Sequence, residues 1–183
     1  MQDPPLRQLK KISNLYSQGR LTQVLEQTKQ LLNQFPNSTT LHGISGATHV
    51  GLGQLDMAVD CYREAIRINP KYSDGYYNMG AIFQQQGKLD KTRKAYNKAL
   101  NINPNNAEAY YNIGISFHHQ GKLDKAVESY KNALLINPNY INAFKNIGFI
   151  HKEQGNPCEA SAYFNKVVSL KPDHAEAYNN LGI

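Results

Sequence analysis

Five prolines recur at one spacing in this chain: Pro36, Pro70, Pro104, Pro138 and Pro172 stand 34 residues apart without a slip. A fixed period of that length means one supersecondary unit copied head to tail, and 34 residues is the length of a helix–turn–helix repeat. The 183 residues would otherwise suggest one globular core. The period replaces that expectation with a core running along a stack, each unit touching its neighbours.

The unit from Ser73 to Asn106 shows how the copy is built. Tyr76, Met79, Gly80 and Phe83 recur at three- and four-residue steps and share one helix face. Gln86-Gly87-Lys88 ends that helix, with Gly87 able to take a positive φ. Leu89, Tyr96, Ala99 and Ile102 mark a second helix, and Asp90 suits the positive end of its dipole. Asn103-Pro104 closes the unit, because a residue before proline is pushed out of helical geometry. The next two units, 107–140 and 141–174, repeat these slots, and Ile113 and Leu123 are expected to be buried. In the last of them Asn156-Pro157 reads as a cap followed by proline at the first helical position. Gly80, Gly114 and Gly148, set against Ala99, Ala133 and Val167, are expected to let the two helices of a repeat approach. The aromatics would then fill the space between repeats.

These residues resemble the tetratricopeptide repeat (TPR) family. Its pattern of a large residue, then Leu-Gly, Tyr, Gly, Ala, aromatic, Ala and Pro holds across Ser73 to Pro172, with Thr92 and His151 as departures. Residues 39–72 keep Gly46, Gly53, Ala58, Tyr62, Ala65 and Pro70, on a first helix rich in glycine. Residues 5–38 keep Gly19 and Pro36 and read as a degenerate repeat capping the stack. Residues 175–183 begin a partial sixth repeat, with Tyr178, Leu181 and Gly182 in the expected slots and Tyr178 and Leu181 expected to be exposed. That ending suggests a fragment of a longer series, or else a half unit that docks end to end on another copy. The resemblance implies an all-α fold, a right-handed α-α superhelix forming a single solenoid over residues 1–183. It also implies a scaffold that binds a protein or an extended peptide in a concave groove, without catalysis or cofactor. The other reading the resemblance allows is the substrate-recruiting arm of a glycosyltransferase or sulfotransferase lying beyond residue 183.

By the same resemblance, first helices line the groove. The positions so implied include Tyr77, Asn78 and Gln84 in one repeat, and Tyr111, Asn112, Ile115 and His118 in the next. Lys145, Asn146 and Phe149 follow, then Asn179 and Asn180. Asn78, Asn112, Asn146 and Asn180 repeat at the full period, similar to the asparagine ladder in the TPR half of O-linked N-acetylglucosamine transferases. Such a row can pair with a peptide backbone or bond within the repeats, since an amide both donates and accepts. A carboxylate clamp of the chaperone co-factor type is disfavoured: Lys145 and Asn112 match two slots, but Tyr77, Ala81 and Phe149 stand where polar or basic groups are needed.

Composition narrows the remaining classes. Apolar residues make up 40 % of the chain, enough to bury at each interface. No run approaches the roughly 20 apolar residues of a membrane span, and the start lacks the apolar core of a signal peptide. A cytoplasmic setting with reduced Cys61 and Cys158 is expected. The net charge of +6 includes Lys88, Lys91, Arg93, Lys94 and Lys98 on one helix, a solvated face rather than a specific nucleic-acid site. Adjacent His118 and His119 point apart on a helix and do not make a metal pair.

Overall fold

A computed structural model describes residues 3–181, and Gly182 of the half repeat lies outside them. Among the described residues there are eleven helices and no strand. They form antiparallel pairs within the 34-residue frames: α1 (Leu6–Ser17) with α2 (Leu21–Gln34), α3 (Thr39–Gly51) with α4 (Leu55–Ile68), and α5 (Ser73–Gln85) with α6 (Leu89–Ile102). Then come α7 (Ala107–His118) with α8 (Leu123–Ile136), α9 (Ile141–Glu153) with α10 (Pro157–Leu170), and the single α11 (Ala175–Leu181). The chain clusters into two compact units, one ending at Ile102 and the other beginning at Asn103.

The turn inside each pair is the same device five times. Gly19, Gly53, Gly87, Gly121 and Gly155 all take φ between 67° and 74°. The following N–H reaches back to the carbonyl five residues earlier, as in Lys88 to Phe83 at 2.8 Å and Asn156 to His151 at 2.9 Å. This Schellman closure satisfies carbonyls that the helix end leaves bare, and it needs a left-handed residue at the turn. The exit from each second helix has its own signature. Asn69, Asn103 and Asn137 precede the periodic prolines, and each side-chain oxygen accepts the N–H two residues on, at 3.0, 3.2 and 3.1 Å. The asparagine thus builds an Asx turn over the proline.

Packing within a pair differs from the arrangement expected of the small residues. A methyl on Gly80, Gly114 or Gly148 would strike the ring of Tyr96, Tyr130 or Phe164, at 2.7, 2.5 and 2.9 Å. Gly46 faces Tyr62 in the same way, at 2.8 Å. The aromatics therefore lie over the glycines of their own repeat, and Tyr62 and Tyr130 also pack against the following repeat, as expected of them. In the first pair the sizes are exchanged: Ile12 occupies the glycine slot and Thr28 the aromatic slot, both buried. The bulk moves to the opposite helix while the pair still closes.

The cores follow from these contacts. In the first unit, Ile12, Val24, Leu31 and Leu41 form one cluster, and Ala58, Val59, Tyr62, Ile82, Phe83 and Ala95 another. In the second unit, Ala126, Tyr130, Ala143, Ile147 and Ile150 form the core. The slots of Ala109, Ala143 and Ala177 are fully buried, although no large side chain marks them. Several expected packing residues sit at the edge instead. Ile113 is buried, but Leu123, Tyr76, Tyr110 and Phe144 are half-buried. Tyr178 and Leu181 are also half-buried rather than exposed, because α11 inserts Ala177 and carries the tyrosine with it. Asn156 makes no side-chain cap bond, so proline at the first turn starts α10 without it. Side-chain caps fall elsewhere, on Ser38 (to the Leu41 N–H, 3.1 Å) and Asn106 (to the Ala109 N–H, 2.9 Å). Both cysteines are free thiols, and burial followed by the Asp60 charge pushes the Cys61 thiol up. Among the described residues no helix is long and apolar enough to cross a membrane.

Candidate binding face of the first helices

In the second unit, α7, α9 and α11 each expose one row of side chains, and their contacts tie successive helices together. Tyr111 on α7 packs its ring 5.5 Å from Tyr130 and 4.9 Å from Tyr140. Asn146 on α9 donates from Nδ2 to the Tyr111 hydroxyl at 3.2 Å and to the Tyr130 hydroxyl at 3.3 Å. One amide thus binds two phenols of the preceding repeat, which places this asparagine as a bridge between repeats. Burial pushes the Tyr130 phenol up, and the Asn146 bond offsets a part of this. The Tyr140 phenol is pushed up to about 12 by burial, with the charge of Glu108 and then Tyr111 adding to it.

The remainder of the row alternates apolar surface with paired charge. Ile115 is half-buried against the core beneath α7. Phe149 meets Phe164 edge-on, with centroids 5.4 Å apart and planes at 73°. His118 Nε2 lies 3.5 Å from the Glu153 carboxylate, and Lys145 Nζ lies 3.1 Å from that of Glu176. Lys152 donates to Asn180 Oδ1 at 2.9 Å, and Asn180 Nδ2 donates to the Glu176 carbonyl at 2.7 Å. Asn112 is half-buried in the same row, and Asn179 is exposed. Lys145 is thus paired with a carboxylate of the next helix and does not stand as a lone cation.

The first unit carries the same slots on α5. Tyr77 packs 5.4 Å from Tyr96, whose hydroxyl donates to Gln84 Oε1 at 3.0 Å. Asn78 is half-buried beside them. Gln84 therefore orients a core tyrosine as well as facing outward.

The 34-residue period marks the positions of the candidate row but not what fastens them. Glu153 and Glu176 are the anionic partners of His118 and Lys145, and Tyr130 is the second anchor of Asn146. The signal was available in the spacing. Asn146 and Tyr111 are 35 residues apart and Lys145 and Glu176 are 31 apart, one repeat plus or minus a helical step.

Stacked helix pairs with half-exposed, mixed apolar and polar first-helix rows define a helical-repeat scaffold. The comparisons name its class. Models described as TPR repeat and tetratricopeptide repeat match residues 46–87 and 82–121, 107–140, and 142–174. The chain belongs to the tetratricopeptide repeat family, whose members are typically non-catalytic scaffolds for protein interactions. No curated protein matches it. Among solved structures, the crystal structure of MamA is 24 % identical, covers 90 % of this chain and 96 % of its own, and superposes with a TM-score of 0.82. YrrB, described as a TPR protein with an unusual peptide-binding site, is 20 % identical, covers 98 % of this chain and 93 % of its own, and scores 0.77. PilF of Pseudomonas aeruginosa is 15 % identical, covers 95 % of this chain and 79 % of its own, and scores 0.83. At these identities the likeness is one of fold.

Proposed function

We propose that this chain is a scaffold that holds an extended peptide segment along the first-helix row, on the face built by Tyr111, Ile115, Lys145 and Phe149. One observation carries this reading: these side chains stay half-exposed while their neighbours are locked. Asn146 fixes Tyr111, Phe164 supports Phe149, and Glu176 fixes Lys145. A surface ordered before binding loses little side-chain freedom when a ligand arrives. Ile115 and Phe149 supply apolar contact, and the amides of the row supply donors and acceptors for a peptide backbone. Asn146 and Asn180 act first as struts between repeats in this reading, so the ladder contributes mainly by holding the row in shape. YrrB, with its peptide-binding site on the same fold, supports a peptide as the class of partner.

The test is selection of peptides from a random library on the full chain, followed by affinity measurement against Ile115→Thr/Phe149→Thr. Loss of two apolar anchors of hot-spot kind weakens binding by roughly tenfold or more, since tenfold is about 1.4 kcal/mol. Helicity by circular dichroism is expected to stay at the parent value. Peptides that bind the double variant as tightly as the parent would place the partner elsewhere.

A further inference from the structure

The second helices frame a cleft that the first-helix row does not use. In the unit ending at Ile102, α2, α3 and α4 enclose an open cleft of about 490 Å³. Leu25 and Leu32 supply its apolar lining, and Lys29, His42 and His49 supply its polar groups. Thr28 lines it too, in the slot that later repeats fill with a tyrosine or phenylalanine ring.

The charge in this cleft has one sign. Lys29 projects from an exposed position on α2, and no Asp or Glu is among the lining residues described. On α4 the nearest acids in sequence to Cys61 are already engaged: Asp60 pairs with Arg63 at 3.1 Å and Glu64 with Arg67 at 2.6 Å. Both imidazoles are oriented by carbonyl acceptors. His42 Nε2 lies 3.1 Å from the Pro36 carbonyl, and His49 Nδ1 lies 2.6 Å from Gln54 Oε1. A carbonyl oxygen only accepts, so those nitrogens carry hydrogen.

The other unit supplies an internal comparison. Between α8 and α9 an open cleft of about 410 Å³ has Val127, Lys131 and His151 in the slots of Leu25, Lys29 and His49, three periods on. There, however, Asp124 lines the cleft where the first unit has Thr22, and Glu128 lines it whereas its equivalent Glu26 is not among the residues lining the first cleft. The charge of the whole chain divides in the same sense. Residues 1–102 hold thirteen Lys and Arg against seven Asp and Glu, and residues 103–183 hold seven against seven.

We infer that the cleft of α2, α3 and α4 docks an acidic segment of a partner protein. An aliphatic side chain of that segment lies along Leu25 and Leu32, and a neighbouring carboxylate meets Lys29 at the cleft's edge. The experiment uses the full chain and fluorescent peptides that alternate Leu with Glu, compared with peptides that alternate Leu with Gln. Fluorescence anisotropy is expected to show binding of the Glu peptide at least tenfold tighter than the Gln peptide. Lys29→Glu, at an exposed position, is expected to weaken the Glu peptide at least tenfold. Lys131→Glu and Ile115→Thr/Phe149→Thr are expected to leave it unchanged. Equal loss with Lys131→Glu, indifference to Lys29→Glu, or no binding of the Glu peptide overturns the inference. Loss confined to the Ile115/Phe149 variant also overturns it, while leaving the first-helix row as a binding face.

Discussion

Gly114→Ala is the sharpest test of how each helix pair closes. An added methyl would stand 2.5 Å from Tyr130 Cε1 and 2.6 Å from Cδ1, against the 3.4 Å or more of ordinary contact. Relief needs a ring shift of nearly 1 Å. The ring is fully buried, its hydroxyl accepts from Asn146, and Tyr111 packs at 5.5 Å. Overpacking of this kind costs about 1–3 kcal/mol. The better helix propensity of Ala returns about 0.5–1 kcal/mol. The net loss is about 0–2.5 kcal/mol, which for a chain of this size lowers Tm by up to roughly 10 °C. Thermal melts followed by circular dichroism measure it. Gly114→Ile combined with Tyr130→Thr copies the Ile12 and Thr28 arrangement of the first pair, so its loss should fall well below the sum of the single losses. A Gly114→Ala variant that melts higher than the parent, as a solvent-facing glycine would give, refutes the reasoning.

Other outcomes follow from the same geometry. Asn146→Ala leaves two tyrosine hydroxyls without their donor and should cost about 1–3 kcal/mol in urea unfolding, with the helical spectrum unchanged. Ile147→Ala, at a fully buried position, should cost about 2–5 kcal/mol, and Leu123→Ala, half-buried, clearly less. Gly121→Ala meets no atom within 4 Å, so its cost of about 1–2 kcal/mol comes from φ of +67° alone. Alkaline pH should destabilise the chain through Tyr140. An unfolded tyrosine loses its proton near pH 10, whereas this one holds it to about 12. Below about pH 10 both states are protonated and stability is level. Between there and about 12 only the unfolded chain ionises, so stability falls. Burial pushes Tyr62, Tyr72 and Tyr130 up in the same sense, so the unfolding midpoint followed against pH should fall less steeply, but still fall, in a Tyr140→Phe variant.

The architecture was legible because turns leave marks that do not depend on partners. Gly87 and its four equivalents need a positive φ, and Asn103-Pro104 needs an Asx turn, so both appear as letters at fixed spacing. The inner packing was harder. Gly114 signals close approach, but the sequence does not say whether an alanine or a ring does the approaching. Size pairing across the helix pair decides that, and Ile12 with Thr28 shows that either helix can carry the bulk. The positions of the candidate row were also legible as a period, while the bonds that fix it were not. Asn146 reads as a ligand group from its repetition, and becomes a strut once Tyr111 and Tyr130 lie within 3.3 Å. The cleft of α2, α3 and α4 left almost no trace, since Lys29 reads as one more solvated cation until the acid-lined cleft of the other unit is set beside it.

Amide chemical-shift mapping with a selected peptide tests the central claim most directly. Shifts concentrated on α7 and α9, around Tyr111, Ile115, Lys145 and Phe149, are the expected result. Shifts confined to the second helices α8 and α10, with that row unmoved, would contradict it.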